Sequence, residues 1–257
     1  MFQEEIAAVA QLAVKKVNMM KSRTLAYFIL AMLAGIYVAL AMFFIFTIGG
    51  QLKGTELAPL SKTIMGFSFP VALSLVMIAG SELFTGNNFV MTIGVYRKQI
   101  SVMDMLKLWC ICWLGNLTGS IIVAVLFSYT GIAQGSVGEY IAAGALAKMS
   151  LSPLELIMRG LFCNILVCLA VWCTLKMKSE SGKLIMIFWC IFAFITTGFE
   201  HSVANMSFLV VGILNPMGEA LSWGGYIYNL VFVTLGNIIG GALFVGLPYA
   251  IVAGKEE

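Results

Sequence analysis

Polar and apolar positions along this chain separate into long blocks. Apolar runs cover 24–49, 61–80, 102–130, 153–176, 183–199 and 224–252. Each has about the length that a helix rising about 1.5 Å per residue needs to cross a hydrocarbon core of about 30 Å. Further apolar pieces after positions 88 and 206 read as continuations of the second and fifth spans beyond an interruption. The pattern predicts an all-α membrane protein of six transmembrane helices with the second and fifth interrupted. Ahead of the first span, Phe2, Ile6, Val9, Ala13 and Val17 recur at three- and four-residue steps, the period of an amphipathic helix. Glu4 and Glu5 at its start and Lys15 and Lys16 at its end suit the helix dipole. Residues 1–23 are too polar for a signal peptide. They read as a helix lying at the membrane interface, with a gating role as the sharper alternative. Residues 24–257 read as one transmembrane domain.

Charge then orients the spans. Lys53, Lys62, Lys148 and Arg159 fall on one side, and the other 11 of the 15 Lys and Arg residues, Lys255 among them, fall on the side of the termini. The positive-inside rule therefore predicts that both termini are cytoplasmic. Composition agrees with a membrane protein: 61% of residues are hydrophobic and 11% charged, with mean hydropathy +0.99. A soluble domain is about half apolar and a quarter charged. The net charge of +3 gives no sign of a nucleic-acid partner. Cys110, Cys112, Cys163, Cys168, Cys173 and Cys190 all fall inside apolar runs, where cysteine behaves as a small hydrophobe. No spacing suggests a zinc site. With a single histidine in the chain, neither metal nor cofactor is expected.

The two halves repeat. Gly80, Glu82 and Asn87 recur as Gly198, Glu200 and Asn205, each 118 residues on, and Leu114-Gly115-Asn116 recurs as Leu235-Gly236-Asn237, 121 residues on. A weaker match relates 33–41 to 162–170. With three spans in each half, the second half enters the membrane from the opposite side. The prediction is an inverted repeat of about 24–130 and 153–252, a design that places its site where interrupted helices meet near the midplane. The Gly115/Gly119 and Gly236/Gly240 pairs have GxxxG spacing, which serves packing within the chain or a contact between subunits.

The interruptions carry the chemistry. Each half-helix N-terminus offers free N–H groups and partial positive charge to an anion. Glu82 and Glu200 lie deep in apolar surroundings. They are read as support that ties exposed backbone N–H groups at each break, with direct ion contact as the alternative. Asn87 and Asn205 are assigned similar work, because unwound backbone inside a membrane needs protein partners. His201 stands in the second break where the first has Leu83. The unperturbed pKa of an imidazole, about 6.5, puts proton exchange within physiological reach. Thr85 is placed to bond this ring or a permeant species.

These residues resemble the formate/nitrite transporter family. Glu82-Leu83-Phe84-Thr85-Gly86 is similar to its first signature, and Gly160-Leu-Phe-Cys-Asn164-Ile-Leu-Val-Cys168-Leu-Ala to its second. Gly198-Phe-Glu-His201-Ser-Val-Ala-Asn205-Met is similar to its central-histidine motif. The likeness spans essentially the whole chain and is greatest to the hydrosulfide channel branch known from clostridia. It implies an aquaporin-like fold, a homopentamer in a bacterial plasma membrane with one pore per subunit, and no enzymatic activity. The implied permeants are hydrosulfide, formate and nitrite, with proton-coupled formate or nitrite transport as the alternative. By resemblance, Phe69, Leu73 and Phe194 match an outer constriction, and Leu83, Phe84 and Val167 a cytoplasmic one. Thr85, Asn164 and His201 match a polar centre, and Lys148 a basic residue of the outer vestibule. Read from the residues alone, the apolar members of these sets are equally consistent with ordinary helix packing.

Overall fold

A computed structural model describes residues 1–254; Lys255, counted above for orientation, lies outside the described residues. The described residues form helices and connecting turns, with no strand among them. In chain order the helices are α1 (Gln3–Ser22), α2 (Thr24–Leu52), α3 (Ser61–Ser68), α4 (Val71–Leu75), α5 (Phe84–Tyr96), α6 (Val102–Ser128), α7 (Gly135–Met149), α8 (Pro153–Lys176), α9 (Glu180–Thr197), α10 (Ser202–Leu214), α11 (Trp223–Ile238) and α12 (Leu247–Ala253). Wider π-helical turns at Val76–Gly80 and Ile239–Gly246 extend α4 and join α11 to α12. Six stretches have the length and apolarity to cross a membrane: Thr24–Leu52, Ala58–Gly80, Val102–Ser128, Pro153–Lys176, Glu180–Thr197 and Trp223–Ala253. They coincide closely with the six runs read from the sequence.

The second and fifth spans break as expected. Gly80 and Gly198 adopt φ values of +80° and +82°, a left-handed conformation that a Cβ disfavours and that ends a helix. The chain then runs extended through Ser81–Leu83 and resumes as α5, and likewise resumes after His201 as α10. GxxxG packing lies within the chain. A Cβ on Gly119 would stand 2.1 Å from the Met32 carbonyl oxygen, and one on Gly240 2.2 Å from that of Leu161. Glycine there seats α6 against α2, and the π-helical turns after α11 against α8, through backbone contact.

Two features of the repeat are not legible in the sequence. α7 fills what reads as a connection between the halves. It is also the counterpart of α1, since Lys16 of α1 pairs with Glu82 and Lys148 of α7 pairs with Glu200. The repeat therefore begins with these helices rather than at residue 24. In addition, α1 does not use its apolar face on lipid. Ile6, Val9, Ala13 and Val17 are buried, and Phe2 packs its ring 5.8 Å from Trp172 and 6.0 Å from Tyr249, centroid to centroid. Burying each large aliphatic side chain contributes about 1.5–3 kcal/mol, enough to dock α1 on the helix bundle.

Candidate functional site

At the first break, Asn116 of α6 accepts a hydrogen bond on Oδ1 from the Phe84 N–H at 2.9 Å. Its Nδ2 donates to the carbonyls of Ala31 at 2.7 Å and Glu82 at 2.9 Å. At the second break, Asn237 of α11 accepts from the Ser202 N–H at 2.9 Å and donates to Gly160 at 2.8 Å and Glu200 at 3.0 Å. Each amide thus satisfies two backbone groups that the missing helical turn would leave bare inside the bilayer and ties them to a carbonyl of a neighbouring helix, Ala31 of α2 or Gly160 of α8. This corrects the role given to Glu82 and Glu200, whose carboxylates bind no backbone N–H among the described contacts. The repeated Leu-Gly-Asn carries the signal, but repetition by itself marks only duplication.

The two carboxylates anchor side chains instead. Glu82 takes the Lys16 ammonium at 2.5 Å, the Tyr27 hydroxyl at 3.0 Å and the Asn87 amide at 3.0 Å. Glu200 takes the Lys148 ammonium at 2.6 Å and the Asn205 amide at 2.6 Å. A buried charge needs such partners, and these pairs tie α1 to one break and α7 to the other. Lys148 borders the outer vestibule, as the resemblance implies, but its charge is paired with Glu200.

Between the breaks, Thr85 Oγ1 lies 2.9 Å from His201 Nε2. His201 Nδ1 accepts the Ala204 N–H at 3.2 Å, capping α10. An acceptor at Nδ1 leaves the ring proton on Nε2, which donates to Thr85. The threonine hydroxyl proton is then free for another acceptor. Gly198, Phe199, His201 and Ala204 border a vestibule of about 340 Å³ on the face opposite α1. His201 and Phe194 also border a central chamber of about 20 Å³, room for about one water. Leu73 and Leu83 separate that chamber from a third cavity of about 60 Å³, bordered by Leu12 and Lys16 of α1.

Phe69 meets Phe194 edge-on, with centroids 5.9 Å apart, and both line the chamber, as do Leu73, Leu83 and Val167. Three assignments change. Leu73 borders the inner cavity as well as the chamber, so it belongs with Leu83 rather than with Phe69. Phe69 and Leu73 share a helix face but stand one turn apart, about 5.4 Å in depth. Phe84 lines none of the three cavities and packs against Trp109, centroids 6.4 Å apart. Leu83 is the last extended residue before α5, so its neighbour's side chain points away from the path. Like Thr85, Asn164 is fully buried and lines none of them. Its Nδ2 donates to the Thr85 carbonyl at 3.2 Å, to Asn88 Oδ1 at 3.0 Å and to the Asn237 carbonyl at 2.6 Å, where the π-helical turns begin. It staples the halves together. Val38, Ala72 and Ile191 complete the chamber wall and carry no sequence signal beyond apolarity.

Residues 3–251 match the profile of a family described as "Formate/nitrite transporter". The chain belongs to the formate/nitrite transporter family. It is 40% identical over 250 residues to the nitrite transporter NirC of Escherichia coli (strain K12), covering 97% of this chain and 91% of that protein. A solved structure described as "FNT family ion channel" has TM-score 0.91 at 37% identity, covering 98% of this chain and 99% of the other. Another, described as "Pentameric formate channel with formate bound", has TM-score 0.79 at 31% identity, covering 91% and 99%. As a formate/nitrite transporter family member, the chain is a multi-pass membrane channel or transporter for small anions, not an enzyme. In this aquaporin-like fold the cavities follow one another along the seam between the inverted halves.

Proposed function

We propose that the chain is a channel for small monovalent anions, with hydrosulfide as the preferred permeant and formate and nitrite as related ones. The observation that carries this reading is the narrow apolar chamber with His201 on its wall, its ring bonded to the buried Thr85, set between two wider cavities. Phe69 and Phe194 on one side and Leu73, Leu83 and Val167 on the other strip water from an entering ion. Stripping a full charge is costly, so divalent and strongly hydrated ions are rejected. The Thr85 hydroxyl, polarised by its bond from His201 Nε2, donates to the anion, and the N-termini of α5 and α10 add positive potential. A weakly hydrated, polarizable anion such as hydrosulfide loses least on entry, which supports that preference. Asn116 and Asn237 hold the breaks, Glu82 with Asn87 and Glu200 with Asn205 anchor α1 and α7 beside them, and Asn164 joins the two halves next to the path.

A homopentamer with one path per subunit is supported by the relative described as a pentameric formate channel. Placement in a bacterial plasma membrane, with both termini cytoplasmic, is supported by the bacterial relative NirC and by the tally of Lys and Arg between the two faces. Reconstituted protein should be compared for influx of hydrosulfide, formate, nitrite and sulfate into proteoliposomes. Hydrosulfide is expected to enter fastest and sulfate not at all; equal rates for hydrosulfide and formate would remove the preference. A second reading, proton-coupled transport of formate or nitrite, is favoured by the imidazole beside the chamber. Accumulation against a gradient that an uncoupler abolishes would select it.

A further inference from the structure

The vestibule opposite α1 holds three cationic residues: Lys62 at the start of α3, Lys148 at the end of α7 and Arg159 in the first turns of α8. Lys148 is spoken for by Glu200, whose side chain is 3% exposed. Arg159 has only a loose contact of 3.9 Å with Glu155, a side chain 52% exposed to water. That carboxylate is moreover engaged by the Ser152 N–H and hydroxyl at 2.9 and 2.8 Å, in the cap of α8. Lys62 has no carboxylate partner among the described residues, and its ammonium lies about 4 Å from where a Cβ of Gly198 would stand, at the break itself. The inner cavity differs: Lys16 is its lysine, and that ammonium is bound to Glu82 at 2.5 Å. The inverted repeat is thus symmetric in its lysine–glutamate pairs but not in its mouths. Among the described residues that border them, the outer cavity keeps unpaired positive charge and the inner one does not.

We propose that Lys62 and Arg159 form a capture site for monovalent anions in this vestibule, ahead of the Phe69–Phe194 constriction, and that Lys148 serves chiefly to position Glu200. The proposal rests on the reading that anions take this path. A unit charge about 6 Å from an anion in a water-filled mouth changes its local concentration about threefold at low salt. The pair together gives about tenfold. Because such a mouth is wet, about 1 M inert salt, with a Debye length of about 3 Å, erases the effect. The maximal rate, set by the chamber, is unaffected.

The test uses the full chain as wild type, Lys62→Gln, Arg159→Gln and the double variant. Carbon-13 NMR of labelled formate on the purified protein reads binding without requiring conduction. Formate influx into proteoliposomes, with formate on one side and low ionic strength, reads capture. The expected result is formate binding weakened about tenfold in the double variant. Influx at low formate should fall about threefold per substitution, with saturating influx unchanged and all differences lost in 1 M salt. Binding that is absent in wild type or unaltered in the double variant overturns the capture site, as does a fall in saturating influx alone. Binding that depends on Lys62 and Arg159 in a chain that passes no formate keeps the capture site and overturns the proposed channel instead.

Discussion

Replacing Asn237 with alanine removes the amide that spans the second break. Three bonds are lost: those to the Ser202 N–H and the Glu200 carbonyl of the break, which are left bare, and that to the Gly160 carbonyl, which keeps its bond within α8. Asn237 is fully buried, so water does not replace it without opening the seam. Side-chain hydrogen bonds inside membrane proteins average about 0.6 kcal/mol, which sets a floor of about 2 kcal/mol for three. A buried polar group left bare costs about 1–3 kcal/mol, which with two such groups and the lost bond to Gly160 sets a ceiling near about 7 kcal/mol if neither finds a new partner. A loss of about 3–5 kcal/mol is therefore expected. Because Asn116 makes the matching three bonds, Asn116→Ala should lose the same amount within about 1 kcal/mol. Unfolding in mixed detergent micelles, followed by circular dichroism against SDS mole fraction, measures both. Losses under 1 kcal/mol, or a large loss for one amide and none for the other, would refute the view that the two asparagines hold the breaks by equivalent bonds.

Other expectations follow from the same contacts. Glu200→Gln leaves the Lys148 ammonium without its buried counter-charge and should cost about 3–5 kcal/mol in the same assay, whereas the double change Lys148→Met with Glu200→Leu should recover most of it. Thr85→Val removes the hydroxyl that holds the His201 ring while keeping shape, and should lower formate influx about tenfold; Thr85→Ser should keep it within about threefold. Phe194→Ala opens the constriction, so larger anions such as acetate should enter proteoliposomes faster relative to formate, while Phe84→Ala should leave that ratio unchanged. Gly119→Ala forces a Cβ toward the Met32 carbonyl, and over-packing of this kind costs about 1–3 kcal/mol, read again by SDS titration.

The spans, the breaks and the duplicated core are legible because membrane burial writes them plainly. A helix that must cross about 30 Å of hydrocarbon needs an unbroken apolar run. Glutamate and asparagine shortly after a glycine are too costly within such a run unless the helix breaks there. Side-chain direction is not legible. Leu83 and Phe84 are adjacent and both apolar, and only the extended backbone at Leu83 decides that one faces the chamber and the other Trp109. Asn164 is a pore residue by resemblance alone. Its partners are backbone carbonyls and an amide across the seam, which no pattern reveals. The counterpart relation of α1 and α7 is hidden because little but the two lysines links their sequences, and a shared lysine is weak evidence until its glutamate is known.

The internal ties of each half are complete in themselves. Lys16, Glu82 and Asn116 close the first, and Lys148, Glu200 and Asn237 the second. Contacts such as those of Thr85 with His201 and Asn164 with Asn88 join them afterwards. During synthesis, the leading half can settle before the trailing half has left the ribosome, and the conduit comes into being only when the two meet. A chain severed at the Thr130–Gly131 turn and produced as two fragments should for that reason reassemble into a working whole, which cuts inside either half should not.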